Sequence, residues 1–207
     1  KHLPVQPVLQ FNGNLKKPSP AHSVVEQCDG LTLQEVSRLS HGRYLHMALG
    51  PGETLFQQGD SPDNVYVLIS GSAFCYKIME DGRRQILDLL LPGSVLGFSP
   101  STVTHCGAEA KTACRFAVLP RNSFMSALMA NPELCLKCAN HFALAETRAF
   151  DRMSRTGRLG AVERVAGLIV ELATRLHAHE DAGTLYVSLP LKQAEIADML
   201  GLAKESV

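Results

Sequence analysis

Pro190-Leu191-Lys192-Gln193-Ala194-Glu195-Ile196-Ala197-Asp198-Met199-Leu200-Gly201-Leu202-Ala203-Lys204-Glu205-Ser206-Val207 is the stretch whose reading decides the fold. Ile196, Met199 and Leu200 recur at helical spacing and form one apolar face. Ala197, small and in mid-helix, permits a second helix to cross closely. Gly201 stands where the first helix must end in a residue of positive φ. Leu202 can plug the corner, and Lys204-Glu205-Ser206-Val207 opens a second helix. A helix, a short Gly-containing turn and a polar second helix form the geometry that presents side chains to a major groove. The chain starts at Lys1 rather than Met and stops as the second helix opens, so it is expected to be part of a longer protein.

Composition narrows what surrounds this stretch. The chain has 207 residues, 45% of them hydrophobic. That is enough for one or two domains with a real core. No run approaches the roughly 20 apolar residues of a membrane span. Lys1 to Pro20 is rich in proline and lacks the apolar run of a signal peptide. Six cysteines (Cys28, Cys75, Cys106, Cys114, Cys135 and Cys138) are scattered through apolar segments of a chain too large to need stapling. Reduced thiols and a cytoplasmic location are expected. The formal net charge is zero, whereas a free-standing nucleic-acid binder is usually basic. Local charge matters more: Arg148, Arg152, Arg155, Arg158 and Arg164 concentrate just ahead of the helix-turn-helix.

Upstream, the texture changes twice. Residues 1 to about 30 show no period, and Pro4, Pro7, Pro18 and Pro20 favour an extended or mobile arm. Leu31 to Leu39 reads as a short helix capped by Asp29 or Thr32, with Leu33, Val36 and Leu39 inward. From Arg43 to Leu119, short apolar runs alternate with turns. Thr54–Phe56, Val65–Ile69, Ala73–Met79, Gln85–Leu91 and Ala113–Leu119 read as strands, and Asp81-Gly82 as a hairpin turn. Many short strands with Gly turns indicate a barrel or roll. From Arg121 the pattern is helical. Phe124, Leu128 and Met129 suit a short helix, and Asn131-Pro132 is a cap followed by proline at the first helical position. The next helix runs to about Thr156. On it Leu134, Cys138, Phe142, Ala145, Ala149 and Met153 make a near-heptad stripe, the mark of a helix with a partner helix. Val162 to His177 is amphipathic, with Val165, Leu168, Ile169, Leu172 and Leu176 inward. Leu185 to Leu189 is a strand leading into the helix-turn-helix, as in a winged domain.

In that order these elements resemble the cyclic-AMP receptor protein/FNR (Crp/Fnr) family of bacterial transcription regulators. The resemblance rests on five segments with matching gaps. They are Gly52 to Asp60, Val65 to Gly71, Asp81 to Ile86, Leu91 to Gly97, and Ala194 to Leu202 with Glu205-Ser206-Val207. It implies an α+β fold: an N-terminal arm over 1–30, a β-roll sensor domain over 31–130, a dimerisation helix over 131–158 and an incomplete winged helix-turn-helix over 159–207. It also implies a homodimer on a palindromic double-stranded operator, with RNA polymerase as a further partner and no membrane.

Departures from the family pattern are equally informative. Cyclic-AMP-binding members hold the ribose with a Glu and the phosphate with an Arg. Phe98 stands where the Glu belongs and Thr104 where the Arg belongs. A buried phosphate without its cation is strongly disfavoured, so cyclic AMP is not expected as the ligand. Iron-sulfur members use several N-terminal cysteines and one in the strand before Pro120. Here the arm offers only Cys28, and Ala117 holds the central position. A cubane needs about four thiolates, so that cluster is not expected either. No cofactor is assigned.

The remaining candidates each have two readings. Glu205 accepts from cytosine N4 in the major groove, or simply favours a helix N-terminus. Lys204 and Gln193 are candidate phosphate contacts. Ser206 reads a base or bonds its own backbone. Lys192 occupies a cap position where Thr or Ser is usual. Phe98, Thr104 and His105 mark the effector pocket, and haem-binding relatives ligate iron through His or Cys near His105-Cys106. Cys135, Cys138 and His141 are spaced C-x2-C-x2-H, but His141 is rotated off the cysteine face and zinc would need ligands from elsewhere. Cys138 near a two-fold axis would meet its own mate. Cys75, Cys106 and Cys114 read as core residues. Arg83-Arg84 is solvated charge or a polymerase surface. No phosphate loop, nucleophile elbow or metal-hydrolase signature supports an enzyme. The expected function is a homodimeric, sequence-specific DNA-binding regulator. The competing reading is a haem- or thiol-redox-responsive sensor with a cofactor in the roll.

Overall fold

A computed structural model describes residues 8–12, 30–40, 43–99, 103–176, 179–181 and 184–207. In chain order the elements are β1 (Val8–Asn12), α1 (Leu33–Leu39), β2 (Leu45–Leu49), β3 (Thr54–Phe56), β4 (Asn64–Ser70), β5 (Ala73–Ile78), β6 (Arg84–Leu90), β7 (Val95–Leu96), β8 (Gly107–Ala110), β9 (Cys114–Pro120), α2 (Arg121–Ala130), α3 (Pro132–Arg158), α4 (Ala161–Arg175), β10 (His179–Asp181), β11 (Thr184–Ser188) and α5 (Gln193–Leu200). A 3-10 turn covers Lys204–Ser206. The described residues form two compact units, one from Gly30 to Arg148, the other from Ala149 to Val207 together with β1.

The first unit is a β-roll of two four-stranded sheets, ordered β2-β9-β4-β7 and β3-β8-β5-β6. Val65, Val67, Ala117 and Leu119 alternate along β4 and β9 toward a core that α1, α2 and α3 cover with Val36, Leu39, Phe124, Leu128, Leu134 and Cys138. The opposite face gives Tyr66, Leu68, Phe116 and Val118 to a second core with Phe56, Ala73, Ala108 and Ala110. This period of two is what a strand buried on both faces requires.

Local chemistry sets the helix ends. Thr32 caps α1, its hydroxyl accepting from the Glu35 N–H at 3.3 Å while the Glu35 carboxylate accepts from the Thr32 N–H at 2.7 Å. This reciprocal box supplies two otherwise unsatisfied donors. Lys137 on α3 reaches the same carboxylate at 2.7 Å. The Asn131 side chain accepts from the Leu134 N–H at 3.3 Å and starts α3 at Pro132.

Four expectations are refined or corrected. Leu33 is exposed and Leu31 takes its place in the core. The short helix expected around Phe124, Leu128 and Met129 forms as α2, burying Phe124 and Leu128 and leaving Met129 74% exposed. Part of the arm is a strand: β1 pairs antiparallel with β11, Val8 opposite Ser188 and Asn12 opposite Thr184. Val8-Leu9-Gln10-Phe11 lies between prolines and carries two strand-favouring side chains, Val8 and Phe11, and the rest of the arm lies outside the described residues. The fourth concerns α3, where Leu134 and Cys138 are 2% and 3% exposed inside the roll's own core, and Phe142 packs against that core. Leu134 and Cys138 are thus covered by the chain itself, while Phe142 is half-buried.

In the second unit, β10, β11 and β1 form a three-stranded antiparallel sheet ordered β1-β11-β10. Leu168, Leu172 and Ala173 are the buried positions of α4. Val165, Ile169 and Leu176 are half-buried.

Candidate nucleic-acid interface

α5 begins without a side-chain cap, because Lys192 carries no acceptor. Glu195 compensates, its carboxylate accepting from the Lys192 N–H at 2.6 Å. Ala197, Met199 and Leu200 are buried and Ile196 is half-buried. Leu189 and Leu191, on the approach to the helix, are buried as well. Gly201 ends α5 at φ 59°, and the Leu202 N–H returns to the Ala197 carbonyl at 3.1 Å. The turn is therefore built on the one residue type that takes this conformation without penalty. Arg164 of α4 donates through Nη2 to the Leu200 carbonyl. A guanidinium there neutralises the negative end of the helix and ties α5 to α4.

After the turn, Ser206 and Val207 N–H groups donate to the Ala203 and Lys204 carbonyls at 2.9 and 3.3 Å, making one helical turn that contacts α5. Gln193, Lys204, Glu205 and Ser206 are all exposed. Gln193 opens the first helix, and the other three lie on the turn that follows Ala203. Gln193 thus stands at the start of α5, and Lys204, Glu205 and Ser206 on the 3-10 turn after it, all four exposed.

α4 is also held to the last turns of α3. Glu171 accepts from Arg152 at 3.1 Å (Nε) and 2.5 Å (Nη2), and Arg155 and Arg175 approach it at 3.7 and 3.6 Å. Three of the arginines around this unit are therefore engaged on one carboxylate.

The three predicted pocket residues meet different neighbours. Phe98 stacks on Phe142 at 5.8 Å and tilts against Phe124 at 5.6 Å. Arg121 pins the backbone on either side of it, donating to the Gly97 and Ser99 carbonyls at 2.7 and 3.0 Å. Thr104 is buried. Its hydroxyl donates to the Gln57 carbonyl at 2.8 Å, and its N–H to the Asp60 carbonyl at 2.8 Å. It braces the turn after β3. His105 is exposed.

Among the cysteines, Cys135 is exposed while Cys138 and His141 are buried. His141 Nε2 accepts from the Val95 N–H at 3.4 Å. Among the described residues no three His, Cys, Asp or Glu side chains converge as metal ligands. Burial first, then the neighbouring Cys135 and Glu35, push the Cys138 thiol up to about 11. Core burial and a scarce thiolate remove Cys138 from the role of meeting its mate across an axis. Sequence reasoning missed a different pair: Cys75 and Cys106, 31 positions apart, have interacting thiols. Only the register of β5 against β8 reveals them.

A β-roll, a long helix and a helix-turn-helix with exposed polar residues at both helix starts define a transcription regulator built on a sensor-type domain. Residues 46–131 match the family model of the cyclic nucleotide-binding domain, and residues 163–207 that of the Crp-like helix-turn-helix domain. The chain is 38% identical over 178 residues to the transcriptional activatory protein AadR of Rhodopseudomonas palustris, covering 84% of this chain and 71% of the relative. It is 36% identical to the nitrogen fixation regulation protein FixK of Bradyrhizobium diazoefficiens, covering 87% and 75%. The solved structure of FixK2 from Bradyrhizobium japonicum superposes with a TM-score of 0.69 at 29% identity, covering 79% and 80%. The chain belongs to the Crp/Fnr family of transcription regulators, which are not enzymes. Among the described residues no helix is long and apolar enough to cross a membrane.

Proposed function

We propose that two copies of the chain pair through the outward face of α3 and read a palindromic operator, one half-site each. The observation that carries this is a second apolar stripe on α3. Leu136, Phe150 and Met153 are 63%, 55% and 65% exposed, and Leu136, Ala143 and Phe150 are spaced by seven residues. A heptad repeat of solvent-facing apolar side chains is what a helix pair covers. It lies roughly 130° round the helix from the stripe read in the sequence. Ala149 and Met153 flank it and stay in the interface, Ala145 is half-buried, and Leu134, Cys138 and Phe142 leave it.

Pairing about a two-fold axis places two recognition turns about 34 Å apart, one turn of duplex. Glu205 then reads a cytosine, Lys204 and Gln193 hold phosphates, and Ser206 contacts a base edge or its own backbone. Relatives named as transcriptional activators support RNA polymerase as the further partner, with Arg83 on the exposed β5–β6 hairpin as a candidate contact.

Light scattering on Phe150→Glu tests the pairing. Monomers that no longer bind a two-half-site duplex are expected, and an unchanged dimer overturns the interface. Glu205→Ala in the full-length protein is expected to relax preference at one base pair per half-site, by about 1–3 kcal/mol. Lys204→Ala weakens all sequences alike and makes the salt dependence shallower. Equal loss for cognate and random DNA in Glu205→Ala would make that residue a structural cap.

A further inference from the structure

β5 and β8 run antiparallel with Cys75 opposite Ala108 and Tyr76 opposite Gly107. Cys106 precedes Gly107, so strand alternation turns it to the same face as Ala108 and Cys75. The two cysteines are diagonal cross-strand neighbours, a separation that side chains span. Each thiol is the largest influence on the other's ionisation. Both are free and half-buried. Cys106 lies one residue beyond the paired stretch of β8.

From this juxtaposition we infer that Cys75 and Cys106 are a two-cysteine oxidation site for hydroperoxides, closing to an intramolecular disulfide. The Cys106 thiolate attacks one oxygen of the peroxide and the O–O bond breaks. Hydroxide leaves (an alkoxide from an organic peroxide), the peroxide is reduced, and Cys106 is oxidised to the sulfenic acid. Cys75 sulfur then attacks Cys106 sulfur. The S–O bond breaks, the departing hydroxide takes the Cys75 proton and leaves as water, and the S–S bond forms. A dithiol reductant reverses the exchange.

The surroundings assign these two roles. The Cys75 thiol draws the Cys106 thiol down to about 7 against the opposing effect of burial, with the Lys77 ammonium helping. Cys75 is held protonated by its neighbour Cys106, by burial and by the negative charge of Asp88. Asp88 lies opposite Cys75 on β6, and Arg148 approaches it at 3.7 Å. One thiol is thus available as the attacking thiolate while the other waits as the resolving thiol.

The test treats purified protein with hydrogen peroxide, blocks remaining thiols with N-ethylmaleimide and maps every cysteine by peptide mass spectrometry. A Cys75–Cys106 cross-linked peptide pair, lost on dithiothreitol, is expected. In Cys75→Ser, oxidation should stop at a Cys106 sulfenic acid that dimedone captures, and in Cys106→Ser no rapid adduct should form on Cys75. Alkylation of Cys106 should slow about fivefold from pH 7 to pH 6, as its thiolate is protonated. Circular dichroism checks that the variants fold, and the wild-type peptide map decides without them. Recovery of both cysteines fully alkylated at doses that oxidise exposed Cys135 overturns the site. So does a disulfide from Cys106 to any other cysteine. The assay reads no DNA binding or dimerisation, so its outcome is independent of the operator reading.

Discussion

Arg152, on the closing turns of α3, and Glu171, in the middle of α4, are joined by two hydrogen bonds with both side chains about nine-tenths buried. A charge pair at that depth persists only because each member satisfies the other. Glu171 also faces Arg155 and Arg175, so its removal leaves three guanidinium groups around an apolar position. Glu171→Ala is expected to cost about 3–5 kcal/mol in the unit that carries the helix-turn-helix. Arg155→Ala, at the more exposed member, costs about 1 kcal/mol or less. Urea unfolding followed by circular dichroism gives both values, and equal losses would show that Glu171 is not the hub.

The two faces of α3 have separable consequences. Leu134→Ala should lower the stability of the β-roll unit by about 2–5 kcal/mol, since it empties a site in a closed core. Phe150→Glu should leave that stability unchanged while altering the oligomeric state. Thermal melts beside light scattering make the comparison. A Leu134→Ala protein of normal stability would mean that the roll does not depend on this side chain.

Glu35 should contribute to acid sensitivity in the β-roll unit. Burial works to raise the Glu35 pKa, but hydrogen bonds from Lys137 and Thr32, with the Lys137 charge, outweigh it and hold the carboxyl below its ordinary 4.5. A depressed carboxyl contributes stability above its unfolded pKa and loses that contribution as pH falls through the folded value. Stability should therefore decline below about pH 4.5, less steeply in Glu35→Gln. Urea midpoints across pH 3 to 6 test this, and parallel curves for the two proteins would remove Glu35 from the account.

Two glycines separate backbone strain from crowding. Gly82 has φ 82° and open space where a methyl group would sit, whereas at Gly71 (φ 89°) a Cβ would lie 2.3 Å from the Ala113 carbonyl oxygen. Gly82→Ala should cost about 1–2 kcal/mol from conformation alone. Gly71→Ala should cost clearly more, because the β4–β5 turn and the start of β9 must move apart. Chemical denaturation of both variants ranks them.

Cyclic AMP should give no measurable heat on titration. Phe98 is committed to the Phe124 and Phe142 rings, and the Thr104 hydroxyl is engaged with the Gln57 carbonyl. Neither supplies the charge that a buried phosphate requires. A micromolar dissociation constant would place the ligand against other residues.

Much of this was legible in the sequence where one residue carries the whole signal. Gly201 announced a left-handed turn, Asn131-Pro132 a helix start, and Asp81-Gly82 a hairpin, because each is a local backbone constraint. The stripe through Leu134 and Cys138 shows the limit of periodicity. It finds an apolar face but does not say whether the chain's own roll or a second copy covers it. The exposure of Leu136 and Phe150 was invisible for the same reason. β8, with the sequence Gly107-Ala108-Glu109-Ala110, lacks the branched and aromatic side chains that mark strands. It forms because β3 and β5 flank it. The Cys75–Cys106 contact and the arginines around Glu171 depend on tertiary register, which no spacing rule contains.

The pairing of β1 with β11 has a bearing on synthesis. Val8 leaves the ribosome well before Ser188, its partner, which follows about 180 residues later. At roughly 5–20 residues per second, that strand waits on the order of ten seconds or longer for its neighbour. The roll, whose strands all lie within that interval, has time to form first. An amino-terminal deletion that spares every residue of the roll would therefore still strip an edge from the sheet beside the helix-turn-helix.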